Sequence, residues 1–240
     1  VTAAREDADV LTSSDAYARR FAGPLGAFFL EVQARATLDL VHPWLGGSVL
    51  DVGGGHAQLT GPLVGAGCGV TVYASDPCCE ARVRTWTASG RARFVAGDLL
   101  AAPFPDRSFD VVVAYRLLAH VRRWRELVAE LTRTARGAVI LDYPTARSAN
   151  AAAGLLFPAK KGVEGDTRPF AVFRDADVRE AFVEHGFSAT GRRPQFFWPM
   201  ALHRAHGSAR LARVLEGAAG ALGLRRAFGS PVVLRLERRG

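Results

Sequence analysis

The run Val49-Leu50-Asp51-Val52-Gly53-Gly54-Gly55-His56-Ala57-Gln58 constrains this chain more than any other feature. Residues 48–52 read as a short buried strand. Three consecutive glycines then force a turn, and residues 57–64 resume with helical character. A strand that passes through glycines into a helix opens a parallel α/β unit, and glycine lets a ligand approach the backbone closely. Dinucleotide enzymes share that beginning. Their Gly-x-Gly-x-x-Gly fingerprint, however, would need glycine where Gln58 stands. Asp51 also places a carboxylate beside the turn. It would repel a pyrophosphate and suits a cationic group.

The alternation continues down the chain. Strands are expected at 70–74, 92–95, 109–114 and 138–141, then near 188–197 and 231–237. Helices are expected near 80–87, 121–134, 175–184 and 208–222. In the helix over 121–134, Trp124, Leu127, Val128 and Leu131 fall on one face. Before the first strand, Tyr17, Phe21, Leu25, Phe28, Phe29, Val32 and Ala36 have helical spacing, broken at Gly23-Pro24. Residues 1–14 are polar and acidic, unlike a secretory signal, and read as a frayed arm. Alternating strands and helices call for a parallel sheet with right-handed crossovers.

On these motifs the chain resembles the class I S-adenosylmethionine-dependent methyltransferases, whose first motif is an acidic residue followed by a Gly-x-Gly-x-Gly run. Gly53 and Gly55 match the first two glycines, Gly54 lies between them, and Ala57 replaces the third. Asp76 ends the second strand, where the family holds the ribose hydroxyls. Asp98-Leu99 follows the third, where the family holds adenine through a carboxylate and the next backbone N–H. The run Pro103-Phe104-Pro105-Asp106-Arg107-Ser108-Phe109-Asp110 and the segment Leu117-Leu118-Ala119-His120 are similar to the small-molecule branch, of the ubiquinone and menaquinone type. Asp106 and Asp110 read as structural turn residues.

The resemblance implies a Rossmann-like, seven-stranded, mostly parallel sheet with helices on both faces, N-terminal helices, and a helical insertion before the last strand. It implies one domain over residues 1–240: a helical lid over 1–45, a cofactor half over 48–142 and a substrate side over 143–240. S-adenosylmethionine is the implied cofactor, with Asp51, Gly53, Gly54, Gly55, Asp76, Asp98 and Leu99 as its contacts. Tyr17 is the expected closure over the methionine carboxylate. Methyl transfer then needs alignment and exclusion of water, and a base only where the acceptor must lose a proton. His120 and Arg116 follow the fourth strand and are the catalytic-side candidates: His120 as base, Arg116 toward the cofactor carboxylate or an anionic acceptor. His56 opens the helix after the glycines and reads as a capping or solvent-facing residue.

The acceptor's specificity is expected in the least family-like segments. Residues 143–174 carry Tyr143, Arg147, Asn150, Lys160, Lys161, Glu164 and Arg168. Residues 195–230 carry Phe196-Phe197-Trp198-Pro199-Met200 and a basic, apolar helix. Aromatics with cations suit a hydrophobic or anionic small-molecule acceptor, or peripheral contact with a membrane surface. The net charge of +8 would favour an RNA substrate, but arginine supplies nearly all of it and only Lys160 and Lys161 are lysines, as in a GC-rich coding bias. With no appended RNA-binding module in view, RNA methylation ranks second and nucleic-acid binding is not expected. A noncatalytic cofactor-binding regulator ranks third. The three cysteines Cys68, Cys78 and Cys79 make neither a zinc pattern nor a disulfide framework, so no metal is expected and a reducing, cytoplasmic setting is.

Overall fold

The computed structural model describes residues 5–148 and 170–240. Seven strands form one sheet: β1 (Ser48–Val52), β2 (Gly69–Ala74), β3 (Ala92–Ala96), β4 (Phe109–Ala114), β5 (Ala135–Tyr143), β6 (Phe187–Phe196) and β7 (Ser230–Arg238). Their order is β3-β2-β1-β4-β5-β7-β6. Pairings from β3 through β5 are parallel, and β7 runs antiparallel to both its neighbours. This is the expected Rossmann-like architecture. Strand order reverses beside β1, between β2 and β4, and in open α/β sheets the ligand crevice lies at that switch point, off the strands' carboxyl ends.

The sheet separates two apolar layers by strand parity. Leu50, Val52, Val112, Val139 and Leu141 pack with Leu127, Val128 and Leu131 of the helix Trp124–Thr134 and with Val178 and Phe182 of Asp175–Val183. Val49, Val111, Val113 and Ile140 pack on the other face with Ala36 and Leu40 of α3 (Gly23–Val41) and Leu63 of α4 (Thr60–Gly65). Asp51 shares parity with Val49 and so belongs to the α3/α4 face. A smaller cluster of Phe21, Phe28, Phe29, Phe196 and Ala212 ties α3 to the helices Met200–His206 and Ala209–Ala221 before β7.

Several local expectations need correction. The helix expected from residue 57 begins at Thr60, because Gly54–His56 forms a tight 3-10 turn and Ala57 takes a left-handed φ of 61°. The single helix expected over 80–87 is a 3-10 turn, Pro77–Arg82, followed by a short helix, Arg84–Ala88. Residues 8–12 are not a frayed arm: Ala8–Thr12 is a helical turn, α1, with Ala8, Asp9 and Thr12 buried. Polar composition there reflects bonds to the carboxyl edge of the sheet rather than to water. α2 (Asp15–Ala18) and a 3-10 turn, Arg19–Phe21, lead into α3, where Pro24 occupies the first turn and needs no N–H partner. Of the expected cover segment 143–174, Asn150, Lys160, Lys161, Glu164 and Arg168 lie outside the described residues.

Candidate active site

The glycine turn is built around Asp51. Gly53 takes a left-handed φ of 73°, and its N–H donates to the Tyr73 carbonyl at 2.7 Å, closing β1 onto β2. A Cβ on Gly54 would lie 2.3 Å from the Asp51 carboxyl carbon, so the turn folds back over that carboxylate and only glycine fits. A Cβ on Gly55 would stand 2.7 Å from the Cys79 Cβ. Asp51 is fully buried and, among the described residues, neither carboxylate oxygen has a hydrogen-bond partner. Burial pushes its pKa up to about 7. A buried carboxylate without donors is costly and calls for an outside cation or a proton. The ammonium group of S-adenosylmethionine fits that carboxylate, and side-chain-free backbone fits its close approach.

Asp76 and Asp98 follow on the next two strands. Asp76 is exposed; its Oδ1 accepts from the Cys78 N–H at 2.8 Å and caps the Pro77–Arg82 turn, a bond that holds its pKa below the ordinary carboxylate value. The Asp98 Oδ1 accepts from the Leu100 N–H at 2.9 Å, and its carbonyl accepts from the Tyr73 hydroxyl at 2.6 Å. The Leu99 side chain is buried in the core. All three stand at the carboxyl edge of the sheet, just past the ends of β2 and β3.

Beyond β4, Arg116 and Tyr17 are brought together, and Arg116 is the hub. It adopts a left-handed φ of 55°, stabilised by its backbone N–H donating to Oδ1 of buried Asp142 at 2.6 Å. Its guanidinium donates to Gln58 Oε1 at 2.9 Å, to Gln33 Oε1 at 2.8 Å and to the Tyr17 hydroxyl at 3.4 Å, and lies over the Phe21 ring. Gln33 Nε2 donates to Gln58 Oε1 at 3.1 Å, which closes a triangle joining α3, the glycine turn and the end of β4. Arg116 therefore positions the N-terminal helices as well as flanking the crevice. His120 sits on the separate turn Leu118–His120, its ring 5.6 Å from that of Phe170.

His56, read from sequence as a cap or a solvent-facing side chain, is buried. Its Nδ1 accepts from the Gln58 N–H at 3.1 Å, and desolvation, aided by the Arg116 charge, pushes its pKa down to about 3. Asp9, Gln33 and Asp142 were not singled out either. Gln33 and Thr37 did carry a signal: two polar residues within the buried stripe Phe29, Gln33, Ala36, Leu40 of α3. Asp142 carried none beyond its place at the end of a strand.

With this geometry in view, residues 50–141 match the methyltransferase domain family. Two uncharacterized methyltransferases are similar over 135 residues: one from Mycobacterium marinum at 32% identity and one from Mycobacterium ulcerans at 31%. Each alignment covers 52% of this chain and 53% of the relative, so the chain spans about half the length of these relatives. Magnesium protoporphyrin IX methyltransferase from Synechocystis with bound S-adenosylhomocysteine superposes with a TM-score of 0.65 at 16% identity, covering 94% of each chain. The [4+2]-cyclase SpnF superposes with a TM-score of 0.55 at 19% identity, covering 85% of this chain and 80% of that one. A methyltransferase and a cyclase on one scaffold show that fold alone does not decide the reaction. Residues 50–141 are thus similar to the methyltransferase domain family, and the chain has the Rossmann-like fold of the class I methyltransferases.

Proposed function

We propose that the chain transfers a methyl group from S-adenosylmethionine to a small or medium-sized acceptor with an apolar body and an anionic group. The observation that carries this reading is Asp51: a buried carboxylate with no hydrogen-bond donor among the described residues, beneath a turn only glycine can make. The donor supplies a methyl group already activated on a sulfonium. Asp51 pairs with its ammonium group, Asp76 accepts from its ribose hydroxyls, and Asp98 with the Leu99 N–H holds its adenine. Tyr17, held by Arg116, closes over its carboxylate. His120 faces the acceptor and takes the proton that an oxygen or nitrogen acceptor must lose.

What supports this acceptor class is a cavity of about 440 Å³ between the Arg19–Phe21 turn, the start of α3 and the helix Met200–His206. Arg19, Arg20 and Arg204 line it together with Leu25 and Phe29. Arg20 also lies over the Tyr17 ring, 5.3 Å from its centroid, which links the cavity to the Tyr17–Arg116 contact. Guanidinium groups beside an aromatic and a leucine suit a carboxylate or phosphate on a hydrophobic scaffold. Quinone-related and lipid-related acids belong to that class. Within this reading the enzyme works in the cytoplasm, and residues 1–240 act as one methyltransferase domain. No described helix is long and apolar enough to cross a membrane.

Calorimetry with S-adenosylmethionine and S-adenosylhomocysteine tests the donor, with micromolar affinity expected; no binding of either overturns the assignment. Labelled-methyl transfer to hydrophobic carboxylic acids, with total cellular RNA in parallel, tests the acceptor. Methyl incorporation into RNA alone would reverse the ranking. His120→Ala should lower turnover about 10²- to 10⁴-fold with donor affinity unchanged if the ring is the base.

A further inference from the structure

The chain's own N-terminal segment lies where the donor's contacts converge. Glu6 accepts from the backbone N–H of Arg123 at 3.1 Å and of Arg122 at 3.4 Å, beyond β4. Ala8 is buried in the apolar layer that contains Val52, Leu99 and Leu117. Asp9 is wholly buried, and its Oδ2 accepts from the Ser75 N–H at 2.7 Å, next to Asp76. The Asp9 Cβ stands 3.5 Å from where a Gly53 Cβ would be, and Ser13 Oγ only 2.4 Å from where a Gly55 Cβ would be. Arg5 donates to the Ser75 carbonyl. From residue 5 to residue 13 the backbone thus crosses the carboxyl ends of β4, β1 and β2 and rests on the glycine turn.

Building on the donor assignment above, we propose that residues 5–13 are a displaceable occupant of the donor groove, and that S-adenosylmethionine binds by driving this arm out. Two features make the arm suited to leaving. First, α1 has five residues and no side-chain bond at its N-cap, far below the length at which a helix persists in water. Its few local bonds, such as those from Thr12 and Ser13 to the Asp9 carbonyl, cannot hold it without its docking contacts. Second, the docking is compromised. Burial raises the Asp9 pKa against the pull of its Ser75 bond, and Oδ1 has no partner among the described residues. The arm thus buries a second carboxylate beside the turn that already hides Asp51, with no described cation bonded to either. A ligand carrying an ammonium and a sulfonium relieves Asp51, and departure of the arm returns Asp9 to water. Donor affinity is then reduced by the fraction of molecules with the arm seated.

The arm and the donor compete, so loosening one strengthens the other. Glu6→Ala removes the two backbone bonds at the far end of the arm and touches none of the proposed donor contacts. It should tighten S-adenosylhomocysteine binding by about tenfold in calorimetry. In the unaltered protein, hydrogen exchange at residues 8–13 should speed up about tenfold or more when S-adenosylhomocysteine is added, while the amides of Gly53 to Gly55 slow. Weaker binding by Glu6→Ala, or slower exchange at residues 8–13 on adding the ligand, would overturn the proposal: the arm would then be part of the donor's binding surface. That result would leave the donor assignment standing. Absence of binding by both wild type and variant would remove the donor assignment and this inference with it.

Discussion

The two ends of β1 treat a carboxylate in opposite ways. At the amino end, Asp110 Oδ2 accepts from the Ser48 N–H at 2.9 Å and from the Ser48 hydroxyl at 2.7 Å, while Arg136 holds Oδ1. Those bonds pull the Asp110 pKa below its ordinary value. Three residues along the same strand, Asp51 has no hydrogen-bond partner among the described residues, and burial alone pushes its pKa up to about 7. One end is completed by the chain itself. The other leaves a deep electrostatic cost unpaid at the place where the strand order reverses. That unmet cost is what the proposed pairing with the donor's ammonium group would relieve.

The largest effect that would break this contrast is in the pH dependence of stability. An unfolded Asp51 titrates near about 3.9 and the folded one near about 7. Between those values the native state holds a proton the unfolded state lacks, so stability falls as pH rises, by about 4 kcal/mol over the window. His56 has the opposite sign. Folded, it titrates near about 3 and unfolded near about 6.5, so the unfolded state holds the extra proton and stability rises with pH by about 5 kcal/mol. In the native protein the two slopes oppose one another. Asp51→Asn leaves the His56 slope alone, so denaturant titrations from pH 4.5 to 8 should show a steep acid loss that the wild type lacks. An unchanged profile would mean that Asp51 has a partner after all.

The next effect sharpens the contrast by testing the hub. Gln33→Leu fills the same stripe of α3 but strips Arg116 and Gln58 of a buried partner. It should cost about 3 kcal/mol and loosen the Tyr17 contact. Asp110→Ala should cost about 2 kcal/mol, since three donors at the finished end of β1 lose their acceptor. Its donor affinity should equal the wild type's. A fall in affinity for Asp110→Ala would erase the distinction between the two ends.

The same contrast governs how legible the chain was. Strands β1 and β4 were readable to the residue, because period and β-branched content act locally, whereas the switch point needed the strand order of the folded sheet. The finished end was readable in part: Asp106 and Asp110 read as structural turn residues and bind Arg133 and Arg136, but Asp110 stands within β4 rather than in a turn. What escaped was long-range. Asp9 meets Ser75 and Glu6 meets the turn beyond β4 across most of the half-domain, so an acidic stretch that looked solvated became a docked turn. Arg116 and Tyr17 were each singled out, but the glutamines between them gain meaning only when α3 is laid across the sheet. His56 looked like a surface cap because nothing local tells that the turn buries it.

Asp76 offers the smallest effect on stability and the finest division of roles. It is exposed and already has one structural task, capping the Pro77–Arg82 turn through Oδ1. A side-chain amide can accept the same Cys78 N–H, so Asp76→Asn keeps the cap and removes the charge, whereas Asp76→Ala removes both. If capping is its whole purpose, the Asn variant should behave as wild type in melting and in donor binding, and the Ala variant should lose a little of each. If Asp76 also accepts from the ribose hydroxyls, Asn should melt like the wild type yet bind S-adenosylhomocysteine about tenfold or more weakly, because an amide offers one acceptor where the carboxylate offers two. Adenine alone makes no ribose contact, and its weak binding should be the same in all three proteins. A matching loss for adenine would move the defect away from the ribose and leave Asp76 as a cap at the unfinished end of the sheet.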